Sequence, residues 1–317
     1  MRLGRAGNDV VRWDADGERW TTDLGSSPAA VVALLERSAG GGDTPPADPA
    51  SQPRPAATAP DGAPHGLPFQ PTSLRGVMMN ELHFVRGART MVRHFMPPPA
   101  RAAVRAYEAV TRRTFPALKP APRFYEVPAF YFGSHTTVVP DGAAVAFPRA
   151  TRFRDFELEL GAVVTEPWDP ATQGPPTAAD VIGAFTVVND FSARDLQFTD
   201  ERRSPFSGVV KAKSFATGMA ATVVTADDVL PRWDRVTGRV RVNGETWCEG
   251  STAGGRYSLD EVIAHIAADE RLVPGEVISL GTLPGCCGLE LDRFLQPGDE
   301  VHLELDGVGT LTNTVAA

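Results

Sequence analysis

Glu157 and Glu159 stand two apart in the run DFELELGAVV, residues 155–164. The run alternates acidic and apolar residues and passes into a valine pair, the pattern of a strand, in which side chains two apart share a face. Both carboxylates therefore point one way, while Phe156, Leu158 and Leu160 point into the opposite layer. A second apolar run, 182–188, delivers Asp190 just past its end, where a strand hands over to a loop. Three carboxylates with no thiolate or imidazole beside them describe a hard-cation site, suited to Mg²⁺, Mn²⁺ or Ca²⁺ rather than zinc or copper. The spacing alone fits a solvated face on an edge strand equally well.

Further motifs follow in a fixed order. After DFELELGAVV come NDFSARDLQ from Asn189, KAKSF with Lys213, LGTLPG from Leu280 and FLQPGDEVHLELDGVGTLTNTV from Phe294. In order and spacing these resemble the fumarylacetoacetate hydrolase family over roughly residues 70–315. The resemblance implies a mostly β fold with some α: a mixed β-sandwich roll catalytic domain preceded by a small N-terminal α+β module. It implies that Glu157, Glu159 and Asp190 hold a divalent metal, with Mg²⁺ the first choice and Mn²⁺ or Ca²⁺ the alternatives.

The same resemblance implies roles for six further residues. His83, in a lid segment, would be the general base that activates water, and Glu290 its orienting partner. Lys213 would steady the charge that develops on the substrate. Tyr131, Gln197 and Thr282 would contact substrate. Read without the family, His83 is a surface histidine on an amphipathic helix, and Lys211 competes with Lys213. The sequence departs from the family pattern at two positions: Gly76 stands where members commonly carry a metal-binding Asp, and Ser134 where cleavers of fumarylacetoacetate carry a substrate-binding Arg. The first departure implies weaker metal binding or a changed reaction, and the second argues against fumarylacetoacetate itself.

The implied chemistry is hydrolytic cleavage of a C–C bond in a β-diketo or acylpyruvate-like small molecule, through a metal-stabilised enolate. A decarboxylase, hydratase or isomerase of the same superfamily is the alternative, with a non-catalytic ligand-binding relative the third. The expected partner is a small keto acid or diketone. By resemblance alone, the chain is expected to form a homodimer.

Composition narrows the setting. The 317 residues carry a net charge of −8 and a pI near 5.3, which argue against nucleic acid or an acidic membrane as partner. No apolar signal region or run of about 18 apolar residues occurs, so a cytoplasmic location is expected. Cys248, Cys286 and Cys287 are an odd set without metal-ligand spacing, as in a reducing compartment. The adjacent Cys286 and Cys287 read as small residues in a tight loop, with no base partner in view for a nucleophile.

The elements that must position these groups divide into a small β/α module over 1–37, a Pro/Ala/Gly-rich linker over 38–70, and the catalytic domain over 71–317 with a helical lid near 77–115. In the module, Asp16-Gly17 marks a hairpin and Ser27-Pro28 opens a helix over 29–35. In the lid, apolar residues recur at three and four from Met78 to Phe95, predicting a helix over 77–95, with a second over 100–115 beyond the prolines. Thr177 and Asp180 form a capping box before the strand that carries Asp190. Arg194 and Asp195 are expected to pair beneath the loop. Residues 281–285 are expected to be a loop lining the pocket, and 301–315 a closing hairpin.

Overall fold

In the computed structural model, residues 1–39, 62–205 and 210–317 are described. Most of the predicted linker, 40–61, and the loop segment 206–209 before Lys213 lie outside the described residues.

The strand Glu157–Val164 is central, not an edge, in an eleven-stranded sheet. It runs antiparallel to Ile182–Asn189 on one side and to Glu276–Cys287 on the other, and all eight of its residues are buried. The solvated-face alternative is thereby excluded. Beyond Glu276–Cys287 the sheet continues through Ser73–Met78, which is parallel to it, and ends at Ala129–Gly133. On the other flank Ile182–Asn189 pairs with Thr222–Thr225, which pairs with Arg2–Ala6, so the N-terminal strands Arg2–Ala6, Asp9–Asp14 and Arg19–Thr21 prolong the same sheet.

A second sheet of five strands runs in the order Glu245–Ser251, Thr237–Val242, Glu300–Leu305, Gly309–Val315 and Ala144–Val145. Phe156, Leu158 and Leu160 share one buried cluster with Val240, Leu303 and Leu311 of this sheet. The alternation that turns those three side chains into the apolar layer turns Glu157 and Glu159 out of it, into the site. The described residues form a mixed, sheet-dominated sandwich with helices, and no closed barrel occurs among them. Among the described residues, no helix is long and apolar enough to cross a membrane.

Three elements differ from the sequence expectation. The chain stays extended through Met78, and the helix runs Glu81–Phe95, begun by Asn80, whose side chain accepts from the Leu82 N–H. Pairing with Ala129–Gly133 through Met78, and with Glu276–Cys287 as far as Gly76, satisfies the backbone there and overrides the helical periodicity. The second lid helix is Pro98–Thr111, stopped by Arg112 in the left-handed region at φ 53°. Residues 281–285 are not a loop: Glu276–Cys287 is one twelve-residue strand, with register shifts on either side of Thr282. Gly281 makes the bend possible, because it sits at φ 79° and a Cβ there would lie 2.4 Å from the Val77 carbonyl oxygen.

Candidate active site

The two central strands bring the three carboxylates together. Glu157, Glu159 and Asp190 are each buried, and each offers an oxygen within 4.8 Å of the others. The Asp190 N–H donates to the Glu157 carbonyl at 3.1 Å, which fixes the start of its loop against the neighbouring strand. Lys213, ending the short helix Val210–Lys213, donates from Nζ to Glu157 and to Asp190, the latter at 2.7 Å. Arg194 donates to Glu157, to Asp155 at 2.7 Å and to Gln197 at 2.8 Å. Ser279 and Thr282 hold Glu159 from the adjacent strand, Thr282 at 3.2 Å.

These contacts drive the carboxylates apart in acidity. Burial works against the charge on Glu157, but the flanking Arg194 and Lys213 cations outweigh it and hold the carboxyl well below its usual range. At Glu159, burial and the negative Asp190 and Glu157 outweigh the Lys213 charge and push the carboxyl up to about 8. Asp190 is raised by burial, which the Lys213 charge opposes. Lys213 is buried too, yet Asp190 and Glu157 raise its pKa and keep it an ammonium.

The donor set fits a hard divalent cation. All three groups are carboxylates, and Asp190 Oδ1 is a buried oxygen with no hydrogen-bond partner among the described residues, the orphan an added cation would satisfy. Arg194 shares itself with Asp155, and the raised pKa of Glu159 marks the place where further positive charge would be taken up.

His83, buried on the first turn of the lid helix, faces the same site. Its Nδ1 lies 2.7 Å from Glu290 Oε1, which places the proton on Nδ1 and turns Nε2 towards Glu157 Oε1 at 3.6 Å. Glu290 stands on the short helix Gly288–Leu291 and also accepts from the Gly285 N–H at 2.9 Å. The expected base and orienter are therefore neighbours, one on the lid and one on the short helix that follows the strand Glu276–Cys287. Cys287 completes the cluster, with Sγ 3.9 Å from His83 Nδ1 and 3.8 Å from Glu290 Oε1. A base does stand beside this cysteine, contrary to the sequence reading. Burial and the nearby Asp155 carboxylate push its thiol well up, and its sulfur accepts from the Glu290 N–H at 3.4 Å, so Cys287 serves as a cap.

Tyr131 pairs directly with Gly76 across two strands. Its hydroxyl donates to Asp190 Oδ2 at 2.5 Å, and its pKa is raised by burial and by the Asp190 and Glu159 charges. Ser134, at the strand's end, shares a hydrogen bond with Thr136 at 3.0 Å and reaches none of the acidic groups. Gln197 donates to Glu201 at 2.9 Å while accepting from Arg194.

One expected pair is corrected. Arg194 turns away from Asp195 and spans Asp155 and Glu157, while Asp195 accepts from Thr151 at 2.5 Å and from the Arg152 N–H at 2.9 Å. Adjacent residues at a helix start point in different directions, so they cannot both face one partner. Asp155 was missed by sequence reasoning. It is fully buried and also accepts from the N–H groups of Gly288 at 2.6 Å and Leu289 at 2.9 Å, tying the Glu290 helix to Arg194. Its place two before Glu157, in phase with both glutamates, was the available signal.

Every candidate except Glu290 lines one cavity of about 510 Å³. The chain matches the fumarylacetoacetate (FAA) hydrolase C-terminal family over residues 101–316. An uncharacterized protein of Staphylococcus epidermidis is 34% identical over 163 residues, 51% of this chain and 52% of that protein. The chain thus spans about half the length of the curated relatives it matches. Among solved structures, fumarylacetoacetate hydrolase from psychrophilic Exiguobacterium antarcticum aligns with TM-score 0.62 and 20% identity, over 100% of this chain and 98% of that chain. The 2-hydroxyhepta-2,4-diene-1,7-dioate isomerase from Mycobacterium marinum aligns with TM-score 0.56 and 23% identity, over 79% and 77%. At these identities what is shared is the fold.

Proposed function

We propose that this chain, which belongs to the fumarylacetoacetate hydrolase family, is a Mg²⁺-dependent hydrolase of an acylpyruvate-like 2,4-dioxo acid, cleaving the C–C bond beside the acyl carbonyl. The observation that carries this reading is the His83–Glu290 dyad with its free Nε2 aimed at the three-carboxylate cluster. Glu157, Glu159 and Asp190 would hold the metal, which when bound supplies Lewis-acid polarisation of the substrate carbonyls.

This chain's own residues perform the rest. His83 Nε2 takes a proton from water, and Glu290 stabilises the imidazolium that results. The hydroxide oxygen bonds to the acyl carbon, and the bond from that carbon to the methylene between the carbonyls breaks. Its electron pair passes to the methylene carbon as the enolate of a 2-oxo acid, and the Lys213 ammonium steadies that charge. Return of the proton from His83 to this carbon gives a carboxylic acid and pyruvate, consuming one water. Tyr131, Gln197 and Thr282 line the cavity where the substrate would lie.

The M. marinum neighbour's being an isomerase favours a second reading, an isomerase, hydratase or decarboxylase on the same residues. A ligand-binding relative without turnover is the third, drawn from Gly76 and Ser134. The chain is proposed to act as a cytoplasmic homodimer on a small molecule. Incubation of the purified protein with acetylpyruvate and Mg²⁺ tests the preferred reading. Acetate and pyruvate in equal amounts, abolished by chelation and by Glu157→Gln, are expected. A product of unchanged mass, heavier by one water or lighter by carbon dioxide, selects the second reading, and no consumption of any 2,4-dioxo acid selects the third.

A further inference from the structure

Beside the acidic cavity lies a second chamber of about 530 Å³. The two share Met78, His83, Arg194 and Gln197, so they adjoin at these four side chains. Their chemistry differs. On the lid helix Glu81–Phe95, His83 faces both, while Phe84, Ala88 and Met91, at helical spacing on one face, line the second. The helix Pro98–Thr111 brings Ala100, Ala103 and Val104, and Phe198 comes from the helix that begins at Arg194. Apart from the groups it shares with the acidic cavity, the chamber's charged lining is Glu201 and Arg202, both solvent-exposed.

Small residues keep this space open. Gly87, Ala88, Ala100 and Ala103 stand where larger side chains would close it. A wall of this kind offers no partner to a charged or hydroxylated group, and places an apolar one out of water. The geometry points to a substrate whose acyl arm is a long apolar chain, seated in this chamber while its dioxo-acid head lies against the carboxylates. The chamber has room for an arm on the order of ten carbon atoms at interior packing. This inference rests on the hydrolase reading for the identity of the head, and adds the class of the arm.

Calorimetric binding of 2-oxo acids in the presence of Mg²⁺, from pyruvate to 2-oxododecanoate, tests the chamber without requiring turnover. Affinity should rise roughly fourfold per added methylene until the chamber is full. Ala88→Phe should flatten that series while leaving pyruvate binding unchanged, and Ala100→Phe, from the other helix, should do the same if the first variant fails to fold. Affinity independent of chain length, a length dependence untouched by both fillings, or no binding of any 2-oxo acid would overturn the inference. Kinetics separate it from the parent reading. A length series in binding with no dioxo-acid cleavage leaves the chamber and removes the hydrolase. Cleavage of acetylpyruvate with a flat binding series does the reverse.

Discussion

Tyr131 fills the space that any side chain at Gly76 would need: a Cβ built there would lie 2.4 Å from Tyr131 Cε1 and 3.0 Å from its hydroxyl. The two residues face each other across paired strands, and the ring's hydroxyl reaches Asp190. Gly76→Ala should therefore force the ring aside and cost about 1–3 kcal/mol by urea denaturation. In a Tyr131→Ala background the same substitution should cost much less, a non-additivity that a double-mutant cycle would read. Equal costs in both backgrounds would mean the ring does not occupy that space.

Removing the dyad should separate chemistry from metal binding. His83→Gln and Glu290→Gln should each lower kcat by about 10²–10⁴-fold, while calorimetric metal affinity stays near that of the unchanged protein. His83→Gln with full cleavage activity would remove water activation from the mechanism.

Metal affinity should follow the proton on Glu159. With that carboxyl pushed up to about 8 by burial and its two negative neighbours, an entering dication must displace its proton at lower pH. Affinity should fall about tenfold per pH unit below that value and level off above it. Glu159→Gln should bind metal weakly at every pH.

Stability of the metal-free protein carries two windows of opposite sign. Glu159 is raised from 4.5 to about 8 in the folded state, so its contribution is full below 4.5 and is lost as pH rises through about 8. Asp190, also raised, acts in the same direction. Glu157 is lowered from 4.5, so its contribution is present above that value and is lost on further acidification. Metal-free protein should lose melting temperature between pH 5 and 8, and saturating Mg²⁺ should remove that loss. The measurement is a pair of thermal-melt series across pH.

Arg194 holds two buried carboxylates, so truncating it should be costly. Arg194→Met leaves Asp155 and Glu157 without their shared cation, and about 3–5 kcal/mol of stability should be lost in chemical denaturation. Arg194→Lys should recover little, because a single ammonium cannot reproduce the fork that spans both oxygens.

Local pattern made some of this site legible and left other parts hidden. Glu157 and Glu159 followed from two-residue alternation, and Asp190 from its place at the end of an apolar run, because strand periodicity is a property of neighbours in sequence. His83, Lys213 and Glu290 were found through resemblance, since nothing in their own surroundings says which distant groups they meet. Arg194 was assigned the wrong partner for the same reason: Asp155 lies 39 residues away and reaches it only through the fold. The lid helix was begun too early because Val77 and Met78 keep the apolar spacing of a helix, while the strand Ala129–Gly133 claims their backbone. Cys287 became neighbour to His83 because the strand 276–287 continues where a glycine-containing loop was expected.

The two chambers have walls of different origin: the sheet supplies the carboxylates and Lys213's partners, whereas the helices 81–95 and 98–111 supply most of the apolar lining. Because no acidic ligand sits on those helices, their small residues can be exchanged without disturbing a single charge that the reaction needs. The size of molecule such a frame accepts can thus change in steps of one side chain while the carboxylate cluster stays as it is.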